Sequence, residues 1–219
     1  MTILDGERVE ALSETPTSAI IFLHGYGANG ADLIGLAQPL AEHLPETVFF
    51  APNAPERCVN NPMGFQWFPV PWLDGSSEAA MALSFGKSAA ALSAYLDEVE
   101  GSTGVGPERV ALVGFSQGTM MSLHVGLRRS VACAGIVGFS GRLMQPERLV
   151  DEITVRPPVL LVHGEMDEMV PFSDMEAARQ GLAAAGLEAE THASPGIGHG
   201  IAPDGLSRAL SFIKTRASL

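Results

Sequence analysis

The 219-residue sequence predicts an α/β fold, a mostly parallel central sheet with helices on both faces, and three observations predict it. Short, near-continuous apolar runs recur along the chain, as in strands buried on both faces. Between them lie stretches whose apolar residues follow i, i+3, i+4 spacing, each with one face to bury. The two kinds alternate, which is the order produced when helices layer onto a parallel sheet. With 46% hydrophobic and 17% charged residues, the chain can fill one continuous core, so a single domain over 1–219 is expected.

In chain order, the first strand is expected over 19–24, a helix over 32–43 and a second strand over 47–51. An irregular stretch, 52–77, follows; it holds Pro52, Pro55, Pro62, Pro69 and Pro71 with Trp67, Phe68 and Trp72. Loops of that length are usually functional. A helix is then expected over 78–99, where Leu92, Tyr95, Leu96 and Val99 share a face, and a strand over 109–115. A helix over 117–129, strands over 133–139 and 159–163, and helices over 173–185 and 203–216 complete the pattern.

Charge and patterning exclude several functions. Thirteen basic residues against 25 acidic give a net charge of −12, with no basic block to neutralise phosphates, so no nucleic-acid partner is expected. The longest apolar runs, such as 18–23 and 110–113, fall far short of the roughly 18 residues of a membrane span. The start of the chain, through Glu7, lacks the basic, apolar and small-residue segments of a secretory signal, so a cytoplasmic location is expected. Cys58 and Cys133 stand far apart without a neighbouring cysteine, which predicts free thiols and no metal or redox site.

Gly114-Phe115-Ser116-Gln117-Gly118 fits G-x-S-x-G, in which glycines allow a strained strand-to-helix turn to push the serine hydroxyl out above a sheet. Five letters alone are weak, but a strand is expected just before Ser116 and a helix just after it. Gly138-Phe139-Ser140-Gly141 also ends a strand, but it lacks the final spacing, and Ser140 reads as a turn residue. A serine hydroxyl needs a histidine to take its proton and a carboxylate to hold that histidine's tautomer.

Of six histidines, His199 lies in the glycine-rich loop Gly196-Ile197-Gly198-His199-Gly200, before the last helix. His43 and His192 read as solvated, His124 as a core histidine, and His24 and His163 as structural residues at strand ends. Asp167 follows the strand 159–163, and strand carboxyl ends carry the sites of open α/β sheets. Glu165, Glu168 and Asp174 compete with it, but they read more simply as solvated turn and helix-start charges. The order Ser116, Asp167, His199 is that of an α/β-hydrolase. An anionic tetrahedral intermediate also requires backbone N–H donors. The Tyr26 N–H, in His24-Gly25-Tyr26-Gly27, is the first candidate and the Gln117 N–H the second.

With these motifs placed, the chain resembles the phospholipase/carboxylesterase family of α/β-hydrolases, which includes acyl-protein thioesterases and small bacterial carboxylesterases. The resemblance runs nearly the full length. It rests on Phe22-Leu23-His24-Gly25-Tyr26-Gly27, Ala51-Pro52-Asn53-Ala54-Pro55, Trp67-Phe68, the Ser116 motif, His163-Gly164 with Asp167 and Val170-Pro171, and Gly198-His199. It implies Ser116 as nucleophile, His199 as base then acid, Asp167 as orienting carboxylate, and a minimal cap.

The resemblance also implies a shallow apolar groove lined by Tyr26, Trp67, Phe68, Leu73 and Met169; Trp67 and Phe68 have a second, less favoured reading as loop anchors packed on the sheet edge. Two departures touch that groove: Tyr26 stands where leucine is usual, and Pro69 follows Phe68 where aspartate is common.

The resulting expectation is a serine carboxylesterase acting on a small-molecule ester or thioester, lysophospholipid included, without metal or organic cofactor, as a monomer or homodimer. Two alternatives are a peptidase or amidase on the same triad and a non-catalytic ligand-binding hydrolase fold. A peptidase would need a larger cap, for which 219 residues leave little room. A binding fold would have no need of all three triad residues.

Overall fold

The computed structural model describes residues 4–219. Met1 to Ile3, part of the expected 1–219 domain and of the start expected to lack a secretory signal, lie outside the described residues. A seven-stranded sheet forms the centre, in the order β1-β3-β2-β6-β7-β8-β9. Its strands are β1 (Gly6–Val9), β2 (Ser18–Leu23), β3 (Thr47–Pro52), β6 (Val110–Phe115), β7 (Gly135–Phe139), β8 (Val159–Gly164) and β9 (Ala189–Ser194). Only the β1–β3 pairing is antiparallel. A separate two-stranded hairpin, β4 (Glu56–Arg57) with β5 (Phe65–Gln66), lies within the irregular stretch.

Every residue of β2, β3, β7 and β8 is buried because helices cover both faces. Alternation along β2 sends Ile20 and Phe22 to one side, with Leu33 of α1 (Gly30–Ile34), Leu40 of α2 (Ala37–Ala41) and Phe212 of α8 (Pro203–Thr215). Ile21 and Leu23 face the other side. There they join Leu92 of α4 (Glu78–Thr103), Met121 of α5 (Gln117–Gly126) and Leu182 of α7 (Ser173–Ala184).

The structure differs from the sequence expectation at identifiable places. The helix expected over 32–43 is two short helices, because a continuous one would need an N–H from Pro39 toward the Gly35 carbonyl and Pro has none. The flanking strands β1 and β9 were not expected: as edge strands they are exposed or half-buried and carry no continuous apolar run. Two short helices that the sequence did not predict begin at prolines, α3 (Pro71–Asp74) and α6 (Pro146–Glu152). The helix expected over 78–99 runs on to Thr103, where Gly104, at φ 71°, supplies a left-handed cap.

Candidate active site

The carboxyl ends of β6 and β8, the loop after β2 and the loop after β9 converge on one cavity of about 410 Å³. Ser116 stands between β6 and α5 at φ 55°, ψ −116°, a strained conformation of the sharp strand-to-helix turn. The two glycines of its motif answer a steric need. A Cβ on Gly114 would overlap the Gly118 and Thr119 backbone, and one on Gly118 would overlap the Leu23 carbonyl oxygen. The turn is fixed from β7, because the Ser116 N–H donates to the Phe139 carbonyl at 2.9 Å.

Asp167 follows β8 in a turn closed by its own N–H to the Gly164 carbonyl. Its loop is laced to the histidine loop: the Met166 N–H donates to Ile197 O at 2.8 Å, and a Cβ on Gly164 would overlap the carbonyls of Ile197 and Gly198. Asp167 Oδ2 lies 2.8 Å from His199 Nδ1, and Oδ1 accepts the Met169 and Val170 N–H groups at 3.0 and 2.9 Å. Burial pushes this carboxyl's pKa up, but the His199 hydrogen bond and the two backbone donors outweigh it and hold the group below the usual carboxylate range. An ionised Asp167 therefore accepts a hydrogen bond from Nδ1–H, which leaves Nε2 of a neutral His199 as the unprotonated nitrogen. The His199 ring stands 4.8 Å from that of Phe115, beside the Ser116 turn.

Ser116, His199, Tyr26, Gln117, Phe68, Leu73 and Met169 all line the cavity. Among the described residues, neither the Tyr26 nor the Gln117 backbone N–H has a protein acceptor, so both donors are open to a further hydrogen bond. The loop carrying Tyr26 packs on the serine turn: a Cβ on Gly25 would sit 3.2 Å from Ser116 Cβ.

Trp67, expected in the groove, is not there; the anchor reading describes it. It is fully buried, its indole N–H donates to the His24 carbonyl at 3.0 Å, and its own carbonyl accepts the Ser88 hydroxyl. A Trp in the interior needs a partner for its indole N–H, and the chain entering the loop after β2 supplies one. The other histidines separate by environment. His24 Nε2 accepts the Ala54 N–H while Nδ1 donates to Gly25 O, and burial keeps its pKa below the ordinary value. His163 Nε2 lies 2.9 Å from Val170 O and 3.3 Å from Asp167 Oδ2, so it props the acid turn. His124 packs edge-on to Phe85 at 4.5 Å, and burial brings it down to about 4. His192 pairs with Asp204 far from the cavity lining.

Sequence reasoning missed several contributors. The Gln117 side chain accepts the Trp67 N–H at 3.1 Å and donates to Phe68 O at 2.7 Å, clamping the loop of Trp67 and Phe68 to α5. Trp72, Met81, Met120, Met144 and Arg142 also line the cavity. Only Trp72, adjacent to Leu73 in the irregular stretch, carried any signal. Among the described residues no cluster of His, Cys, Asp and Glu could hold a metal ion, and no helix is long and apolar enough to cross a membrane.

Comparison with known proteins places the whole chain. The model of the phospholipase/carboxylesterase family matches residues 4–217. Acyl-protein thioesterase 1 of Saccharomyces cerevisiae is 31% identical over 228 residues, spanning 98% of this chain and 100% of the yeast protein. The crystal structure of esterase PE8 is 41% identical with a TM-score of 0.93, covering 98% of this chain and 100% of that one. The crystal structure of Arabidopsis thaliana SOBER1 is 27% identical with a TM-score of 0.77, covering 91% and 98%.

Proposed function

Given that the chain belongs to the phospholipase/carboxylesterase family and is a carboxylic ester hydrolase of α/β-hydrolase fold, we propose that it works through an acyl-serine intermediate on Ser116. In this mechanism Ser116 Oγ attacks the ester or thioester carbonyl while His199 Nε2 takes the hydroxyl proton. Asp167 keeps the other imidazole proton on Nδ1 and stabilises the imidazolium as it forms. The oxygen of the tetrahedral intermediate is received by the Tyr26 and Gln117 N–H groups. Collapse expels the alcohol or thiol, which leaves with the proton from Nε2. Water then gives a proton to Nε2, attacks the acyl carbon, and a second collapse returns that proton to Ser116 and frees the carboxylic acid.

The observation that carries this reading is the 2.8 Å contact between His199 Nδ1 and a buried, ionised Asp167, in a histidine that shares its cavity with Ser116. The mostly apolar lining, Phe68, Val70, Leu73, Met120 and Met144 among it, suits an acyl chain. Short to medium acyl esters are the substrates it fits; lysophospholipids and acyl thioesters present the same reacting carbonyl. We take the chain as one catalytic domain, monomeric or homodimeric. Its single central sheet supports one domain, and its two free cysteines suit a reducing cytoplasm.

Initial rates on p-nitrophenyl esters from acetate to palmitate, measured on the protein and on Ser116→Ala side by side, test this. Turnover should fall by about four to six orders of magnitude in the variant with little change in thermal stability. A variant that kept most of the rate would end the acyl-serine reading.

A further inference from the structure

Tyr26 offers its backbone N–H as an oxyanion donor, and its side chain leaves in another direction. The phenol donates to Asp74 Oδ2 at 3.0 Å, bridging 48 residues of sequence. The same carboxylate accepts the Val70 N–H at 2.7 Å and the Ser76 N–H at 2.9 Å, so Asp74 ties together both ends of α3. That helix has four residues and no buried one; Trp72 is 67% exposed and Leu73 39% exposed, yet both line the cavity. One turn of helix without apolar burial has almost no stability of its own.

Polar contacts therefore hold this wall in place. Besides the Asp74 bonds, the Asn60 amide donates to the Leu73 carbonyl at 3.0 Å. Tyr26 is the contact that reaches α3 from the oxyanion loop. On its other side that loop is pinned by the Gly27 N–H to Phe65 O and by the Asn61 amide to Gly27 O, at 2.8 and 2.7 Å. The remaining freedom of residue 26 lies along its side chain, and Asp74 takes it up.

We propose that the Tyr26–Asp74 hydrogen bond is a brace that couples the oxyanion donor to the acyl-groove wall. Tyr26 is thereby a positioning residue for the reaction and, through α3, sets the acyl-chain length accepted. This rests on the reading of the Tyr26 N–H as an oxyanion donor. The protonation states suit the brace. Burial, Cys58 and Asp74 push the Tyr26 phenol far above its ordinary value, so it remains a donor. Burial pushes Asp74 up, but hydrogen bonds from Ser76, Val70 and Tyr26 bring it below the usual carboxylate range, so it remains an acceptor. With leucine at position 26, the residue usual in sequences this chain resembles, no such bond could form.

The test is the acyl-chain profile of kcat and KM on p-nitrophenyl esters for the protein, Tyr26→Phe, Asp74→Asn, the double variant and Ser116→Ala. Losing one hydrogen bond of this kind should lower kcat on acetate and butyrate about three- to tenfold, with KM within about twofold. The chain-length optimum should move to longer acyl groups, since the wall carrying Trp72 and Leu73 is released. Asp74→Asn should shift both quantities in the same direction, and the double variant should be no worse than the more impaired single one. An unchanged profile in Tyr26→Phe, a uniform loss at every chain length, or additive losses would overturn the brace. If any of those appears while Ser116→Ala is inactive, the brace alone fails; turnover retained by Ser116→Ala removes the acyl-serine reading and the brace together.

Discussion

The two sides of the cavity are built on different principles. Ser116, Asp167 and His199 sit on strand-end turns whose positions are set by backbone packing: glycines without room for a Cβ at 114, 118 and 164, and loop-to-loop N–H to carbonyl bonds. The opposite wall, drawn from residues 52–77, has little regular structure and is held by side chains acting on backbone: Gln117 on Trp67 and Phe68, Ser88 on Trp67, Asn61 on Gly27 and Asp74 on α3. A turn clamped by its own backbone tolerates little change and fixes reacting groups. A wall clamped by replaceable side chains can be retuned one residue at a time, which is how one fold comes to accept different substrates.

Changes on the first side should lower the rate at every acyl length, and changes on the second should move acyl-length selectivity and stability with a much smaller loss of rate. The loss of turnover in Ser116→Ala is the largest effect expected. Next is Asp167→Asn, which keeps the shape of the turn but lets His199 adopt the wrong tautomer. It should lower kcat by about 10³–10⁴ at every acyl length, leaving the chain-length optimum in place. A shift of that optimum would break the contrast, and steady-state kinetics across the ester series would show it.

Acid separates the two sides more gently. On the groove side, His124 packs on Phe85, which packs on Phe68, and its pKa is brought from 6.5 to about 4 by burial, with Arg128 adding to the effect. Between those values the unfolded chain binds a proton that the native protein refuses. Stability is therefore full above about pH 6.5 and falls as pH drops toward 4, by about 2 kcal/mol once partial exposure is allowed for. Asp167 loses its contribution in the same direction but in a lower window: its pKa is depressed, so that contribution is intact above the ordinary carboxylate value and is lost only below it. Thermal unfolding from pH 7 to 4 should thus show a decline that His124→Leu flattens. An equally steep decline in that variant would remove His124 as its cause.

What was legible in the sequence follows the same division. The strands β2, β3, β6, β7 and β8 announced themselves as apolar runs because both their faces are buried; Ser116 and Asp167 could be located because each follows such a run, and His199 because it lies in a glycine-rich loop before the last helix. β1 and β9 carried no such run because edge strands meet solvent. Trp67 was misplaced because its partner, the His24 carbonyl, lies 43 residues away, and the need of an indole N–H for an acceptor does not say where the acceptor is. The Tyr26–Asp74 contact was hidden in the same way. Its only trace was an unusual residue after Gly25.

Acid-quenched turnover of p-nitrophenyl butyrate followed by peptide mass mapping shows whether the acyl group passes through Ser116. One butyryl group is expected on the peptide containing Ser116 and none on the corresponding peptide of Ser116→Ala. A butyryl group trapped instead on another side chain, such as Ser140 in the neighbouring strand-end turn, would contradict it.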